Sequence, residues 1–202
     1  MFFGQHGEDE YIKTLFPEDY VGNCVDVGAY DGISMSNTLY FEQRGWRCLC
    51  IEPIDEAYKK CASIRKETVK CCASDQNKET HEFTVFYLEG WNTSAISSLK
   101  PDHRLIQSHR HMITNIETFQ VPVRTLTSLL DEFHYPINID FISIDTENTE
   151  LDVIKGLDLS RYNVRLLIIE DNFNEPHCEN YLKLYGYKKI HRMGVNDFFL
   201  KT

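Results

Sequence analysis

Val25-Asp26-Val27-Gly28-Ala29-Tyr30-Asp31-Gly32 is the stretch whose reading decides the fold. An apolar strand runs into a tight turn with two glycines, and a helix pattern follows. Small residues there let the backbone approach a ligand at the carboxyl end of the strand. Tyr30 breaks the G-x-G-x-x-G spacing, so the dinucleotide fingerprint is not met and a nicotinamide-dependent oxidoreductase is disfavoured. The second strand ends in Ile51-Glu52-Pro53. Glu52 stands about 20 residues after the glycine turn, where an acidic side chain accepts both hydroxyls of a ribose. Ala73-Ser74-Asp75 follows the third strand, at the edge that touches adenine in a nucleoside-binding sheet; Ser-Asp is also a common turn.

Outward from this stretch, strand-like and helix-like segments alternate, the pattern of a parallel α/β sheet. Helices are expected over Glu8 to Phe16, Ser36 to Arg44, Glu56 to Lys66, Leu126 to Phe133, Glu150 to Lys155 and Pro176 to Tyr185. Strands are expected over Cys24 to Val27, Arg47 to Ile51, Thr68 to Cys72, Ile139 to Ile144 and Val164 to Ile169. Tyr187 to His191 and Asp197 to Leu200 read as closing antiparallel strands, which gives about seven core strands in a doubly wound arrangement. The middle is less regular: Glu82 to Leu88 and Phe119 to Val123 suggest extra strands, and Glu89 to Arg110 reads as a long polar loop of the kind that carries function.

The chain has 202 residues, 42% of them hydrophobic, enough for one domain spanning 1–202 with its own core. No apolar run spans a bilayer, and the opening residues show no signal peptide. The formal charge of −10 disfavours nucleic acid and anionic membrane surfaces and fits a neutral or cationic ligand. RNA ribose methylation is disfavoured on the same ground. Seven cysteines without a C-x-x-C pair read as buried reduced thiols of a cytoplasmic protein, with Cys48 and Cys50 on one face of a strand.

Taken together, these motifs resemble the FkbM-type methyltransferases. The resemblance runs from Gln5–Asp9, through Val25–Gly32 with Ser36-Asn37-Thr38, and Gly45-Trp46-Arg47 to Pro53. It continues through Val123–Leu126, Asp140–Glu147 with Glu150-Leu151 and Ile154–Gly156, and Asn196-Asp197-Phe198. The family often has Asn where Tyr30 stands and Gly where Asn148 stands. The resemblance implies a Rossmann-like class I methyltransferase: a doubly wound, mostly parallel seven-stranded sheet with helices on both faces. It implies S-adenosyl-L-methionine as methyl donor and a hydroxyl as acceptor, on a sugar, glycan unit or related small molecule, in a domain fused to or acting with a glycosyltransferase. The cofactor contacts it implies are Gln5, Asp26, Gly28, Ala29, Tyr30, Ser36, Asn37, Thr38, Glu52, Pro53, Ala73, Ser74 and Asp145. A non-catalytic interaction domain that kept the fold is the alternative; Gly28, Glu52, Asp145 and Glu147 argue against it.

After the fifth strand stands Ile169-Glu170-Asp171-Asn172. Asp145, Asp171 and Asn172 are oxygen ligands at neighbouring strand ends and suit Mg²⁺ or Mn²⁺, an arrangement similar to catechol O-methyltransferase and metal-dependent sugar O-methyltransferases. Glu147 and Glu170 are expected just outside that shell. Without metal, Asp145 and Glu147 bind acceptor hydroxyls and Asp171-Asn172 caps the next helix. An alkyl hydroxyl needs a base, and His177 is the first choice, Glu147 the second. His103, His109 and His111 could line the acceptor site, and Trp91 could stack on a sugar face.

Overall fold

The computed structural model describes residues 1–90 and 96–202, so Trp91 lies outside the described residues. In chain order the elements are α1 (Glu8–Thr14), β1 (Asn23–Val27), α2 (Leu39–Glu42), β2 (Arg47–Ile51), α3 (Asp55–Ala62), β3 (Glu67–Val69) and β4 (Cys72–Ala73). Then come β5 (Lys78–Leu88), α4 (His103–His109), β6 (Ile113–Arg124), α5 (Leu126–Glu132), β7 (Asn138–Ile144) and α6 (Glu150–Lys155). β8 (Asn163–Glu170), α7 (His177–Lys183), β9 (Tyr187–Met193) and β10 (Asn196–Lys201) close the chain.

The main sheet has seven strands in the order β3-β2-β1-β7-β8-β10-β9. Its first five are parallel, and β10 runs antiparallel to both β8 and β9. The expected doubly wound sheet with antiparallel closing strands is what the chain forms. The strand order reverses between β1 and β7, where Val27 pairs with Ile144, and in open α/β sheets that switch point opens the ligand crevice.

Both faces of the central strands are buried, which explains their nearly unbroken apolar runs. Side chains alternate between the faces. Val25, Val27, Leu49 and Ile51 pack with Leu126, Leu129 and Ile154 on one. Cys24, Cys48, Cys50 and Phe141 pack with Ile12, Phe41 and Trp46 on the other. All seven cysteines are free, and Cys48 Sγ lies 3.9 Å from Cys50 Sγ, as the shared strand face predicts.

Four expectations shift. The helix expected over 36–44 shrinks to Leu39–Glu42, because the Ser36 hydroxyl accepts the Thr38 and Leu39 N–H groups and holds the preceding residues out of the helix. The third strand divides: β3 stays in the main sheet, while Cys72 and Ala73 pair with Val123 and Arg124 in a separate three-stranded sheet, β4-β6-β5. The short strands expected around 82–88 and 119–123 are the ends of one long antiparallel ribbon, β5 with β6. The long loop holds α4, whose start is capped by Asp102 accepting the Arg104 N–H. Among the described residues no helix is long and apolar enough to cross a membrane.

Candidate functional site

The glycine turn builds the floor of a cleft at the carboxyl ends of β1, β2 and β7. Gly28 adopts φ +84, and a Cβ there would sit 1.8 Å from the Asp145 carbonyl oxygen. Only glycine lets β1 and the end of β7 come this close. Gly28 and Ala29 N–H groups donate to Ile51 O, and Asp145 N donates to Val27 O, which ties the three strand ends together.

Glu52 is buried at the end of β2. Its Oε2 accepts from Tyr30 N at 2.9 Å and its Oε1 from Ile54 N at 2.8 Å. Burial pushes its carboxyl up to about 7, a shift that those two hydrogen bonds only partly offset. Gly28, Tyr30, Glu52, Pro53, Ala73 and Asp145 all line the cleft, so six of the thirteen cofactor candidates converge there. Phe83 and Leu99 add apolar wall from outside the main sheet.

The other seven lie elsewhere. Asp26 points to the opposite face of β1 from Val25 and Val27. There it accepts from Thr38 Oγ1 at 2.5 Å and Ser36 Oγ at 3.2 Å, and lies 3.7 Å from the buried guanidinium of Arg65. Arg65 also pairs with Glu42. Strand alternation thus places Asp26, Ser36 and Thr38, expected as cofactor contacts, in an internal network behind the turn and outside the cleft lining. Asn37 donates to Ser143 Oγ at 3.0 Å, Ala29 is buried in the core, Ser74 N donates to Arg124 O, and Gln5 is exposed in the N-terminal segment.

Tyr30 and Asn148 have φ +48 and +79. Left-handed backbone favours Gly and Asn, which accounts for the family's preference for Asn and Gly at these two places. Glu147 shares the kink, with φ +55. The loop is fixed by Glu150, whose Oε1 accepts from Thr146 N, Thr146 Oγ1 and Asn148 N at 2.9, 3.1 and 3.1 Å.

Three carboxylates meet beside this loop. Asp145, Glu147 and Glu170 each bring an oxygen within 4.8 Å of the others. Asp145 opens to the cleft, yet the protein around it removes much of its solvation, and its carboxyl rises to about 6. Burial and the charges of Asp145 and Glu150 hold Glu147 well above the usual carboxylate range, and burial with Asp145 and Glu147 does the same to Glu170.

The metal set expected from the sequence does not assemble. Asp171 Oδ1 accepts from Phe173 N at 3.2 Å and Glu175 N at 3.0 Å, and its other oxygen faces Arg192 at 3.9 Å. It braces the loop before α7, whereas the metal-free alternative expected it to cap the helix, whose N-cap is Pro176 without a side-chain hydrogen bond. Asn172 lines a neighbouring cavity with His177. Glu170, expected outside the first shell, takes the place beside Asp145 because it is the last residue of β8 whereas Asp171 already turns into the loop. Asp171→Ala should cost about 1–3 kcal/mol of folding stability through its two lost loop hydrogen bonds, read as a lower urea midpoint.

His177 is a surface residue: its side chain is 65% exposed, and its Nε2 is 3.7 Å from Glu175. His109 is half-buried on α4 and His103 and His111 are exposed; none of the three lines either cavity. Glu8 has no motif around it that marks a site, yet it is buried on α1 and accepts from Asn196 Nδ2 at 2.8 Å and His6 N at 2.8 Å. Two separated acidic and amide motifs at the chain ends were the only signal for that pair.

The sheet order, the glycine turn and the crevice beside it define a class I methyltransferase fold. Residues 26–189 match the Methyltransferase FkbM domain, and the chain belongs to that family. The crystal structure of methyltransferase FkbM from Methylobacillus flagellatus KT is similar, with TM-score 0.59 and 15% identity over 98% of this chain and 48% of that one. This chain thus spans about half the length of that protein. The METTL16 MTase domain superposes with TM-score 0.50 and 13% identity over 95% of this chain and 64% of that one. At these identities the likeness is one of fold. No curated protein matches the chain.

Proposed function

We propose that residues 1–202 form one methyltransferase unit that transfers the methyl group of S-adenosyl-L-methionine to a hydroxyl of a sugar, glycan unit or related small molecule. The observation that carries this is the meeting, at one strand switch point, of a nucleoside-sized acidic receptor (Glu52) and a separate carboxylate pair (Asp145 and Glu147) across one cleft. Glu52 accepts the ribose hydroxyls, Ala73 and Phe83 flank the base, and Gly28 lets the amino-acid part lie against the backbone. Asp145 faces the ammonium and sulfonium charges.

The acceptor oxygen attacks the methyl carbon in line, the sulfur–methyl bond breaks, and its electron pair stays on sulfur, giving the neutral thioether. Glu147 takes the hydroxyl proton. Its raised affinity for protons matches it to that task better than His177, which is exposed and belongs to the neighbouring cavity. His177→Ala should therefore change kcat by less than about tenfold, against the roughly 10²–10⁴-fold that loss of a positioned base costs.

The test is calorimetric binding of S-adenosylhomocysteine followed by a labelled-methyl screen over neutral glycosides, glycans and nucleic acid. Transfer to nucleic acid alone would overturn the acceptor assignment, and binding without transfer to any hydroxyl would favour the interaction-domain reading. A partner glycosyltransferase fits an acceptor that is a growing glycan. The convergence of Asp145, Glu147 and Glu170 oxygens favours a second version in which Mg²⁺ or Mn²⁺ sits on these three and orients the acceptor. Full activity after exhaustive chelation rules that version out.

A further inference from the structure

We infer that Arg65 is a positioning residue for the donor site, acting through the loop between β1 and α2; this rests on the methyl-transfer reading above. The loop separates two environments. Gly28, Tyr30 and Met35 line the cleft in front of it. Gly32, Ser36 and Thr38 meet Arg65 behind it, and Arg65 itself does not line the cleft. The loop has little means of holding its own shape. Gly28, Tyr30, Gly32 and Met35 have φ of +84, +48, +79 and +57, and no helix or strand runs between Val27 and Leu39. Tyr and Met in left-handed backbone each cost free energy, so this conformation persists only where its surroundings impose it.

Arg65 imposes it. Its side chain is fully buried, and every N–H of its guanidinium is donated. Nη1 donates to Gly32 O at 3.1 Å and Ser36 Oγ at 3.2 Å, and Nη2 to Thr38 Oγ1 at 2.6 Å and Cys48 Sγ at 3.0 Å. Nε donates to Glu42. One planar fork thus ties the loop to α2 and β2. Packing closes from the same side: a Cβ on Gly32 would lie 2.9 Å from Arg65 Cγ and 3.0 Å from Cys61 Sγ.

A buried ion pair is often no more stabilising than apolar residues of similar volume. What the fork supplies here is one fixed place for the loop. Gly28 and the Tyr30 N–H that braces Glu52 belong to that loop, so fixing it fixes the donor-facing side of the cleft before any ligand enters. Lysine keeps the charge but brings three donors on a flexible stem and no planar fork.

The test is S-adenosylhomocysteine calorimetry with amide hydrogen exchange on the full chain. Arg65→Lys should weaken binding about tenfold or more. It should also speed exchange of the loop amides while β7 and β8 stay protected. Thr38→Val removes the hydroxyl that joins Arg65 to Asp26 and keeps the test independent of how Arg65→Lys folds. It should act in the same direction, and the double variant should lose less than the product of the two single losses, because both break one network. Leu182→Ala, in the core beneath α7, is the control for a merely structural role: it should lower the urea midpoint and leave the affinity unchanged. Unchanged affinity in either loop-network variant, an equal loss in Leu182→Ala, weakened binding without faster loop exchange, or single losses that multiply in the double variant would each overturn the inference. Wild-type affinity in Arg65→Lys removes Arg65 alone and leaves the methyl-transfer reading standing, whereas a wild type that fails to bind S-adenosylhomocysteine sinks that reading and this inference with it.

Discussion

Glu52→Ala is expected to weaken S-adenosylhomocysteine binding by roughly 10²–10⁴-fold, because it removes two hydrogen bonds to an ionised acceptor at about 1.5–3 kcal/mol each. Each Glu52 oxygen already accepts one backbone N–H, which fixes the carboxylate and leaves a lone pair on each for a ribose hydroxyl. The pH dependence has a definite sign. The free carboxyl holds its proton up to about 7, against an ordinary value of 4.5. Bonding both hydroxyls requires the ionised form, so binding expels a proton and affinity should rise with pH until about 7 and then level off.

The same shift acts on stability. A carboxyl whose folded pKa is raised contributes stability that is full below 4.5 and lost as pH rises through about 7. The unliganded protein should therefore lose thermal stability across that window, while the gain on adding S-adenosylhomocysteine grows. Glu52→Gln should flatten the affinity profile. Calorimetry between pH 5.5 and 8 checks both, and an unchanged affinity in the Ala variant would remove Glu52 from the ribose site.

Much of this was readable from residue order alone. Val25–Gly32 and Ile51-Glu52-Pro53 place Gly28 and Glu52 at strand ends because buried parallel strands are continuous apolar runs that stop where the turn begins. Asp26 shows the limit. It belongs to the motif and alternates away from the cleft, and its partner Arg65 lies 39 positions downstream in a segment with no motif of its own. Asp171 stands apart from Asp145 for a related reason. A shift of one residue at the end of β8 decides whether Glu170 or Asp171 faces Asp145, and strand ends are the least certain part of any sequence pattern. The β5–β6 ribbon went unread over most of its length because seven consecutive β6 residues, Thr114 to Gln120, are exposed, leaving no alternation to detect.

Glu147→Gln is expected to lower kcat by roughly 10²–10⁴-fold, the range for a positioned general base, with the KM for S-adenosyl-L-methionine nearly unchanged. The separation follows from the geometry. Gly28 and Glu52 line the cleft from the ends of β1 and β2, where the proposed donor site lies, while Glu147 reaches it from the kinked loop after β7. Glu147 is not a hydrogen-bond acceptor for any backbone N–H that holds this loop; Glu150 does that, so the amide variant should leave the loop intact. Burial and the charges of Asp145 and Glu150 raise the Glu147 pKa well above 4.5, so the base form accumulates only as pH climbs, and kcat should climb with it. In the Gln variant this rise should vanish along with the rate. The decisive comparison is single-turnover methyl transfer across pH for the wild type, Glu147→Gln and Asp145→Asn. Asp145 is assigned above to the donor's positive charges, so its variant should raise the KM for S-adenosyl-L-methionine. If Glu147→Gln keeps both the rate and the pH rise, the proton leaves by another group and Glu147 is only a wall of the cleft.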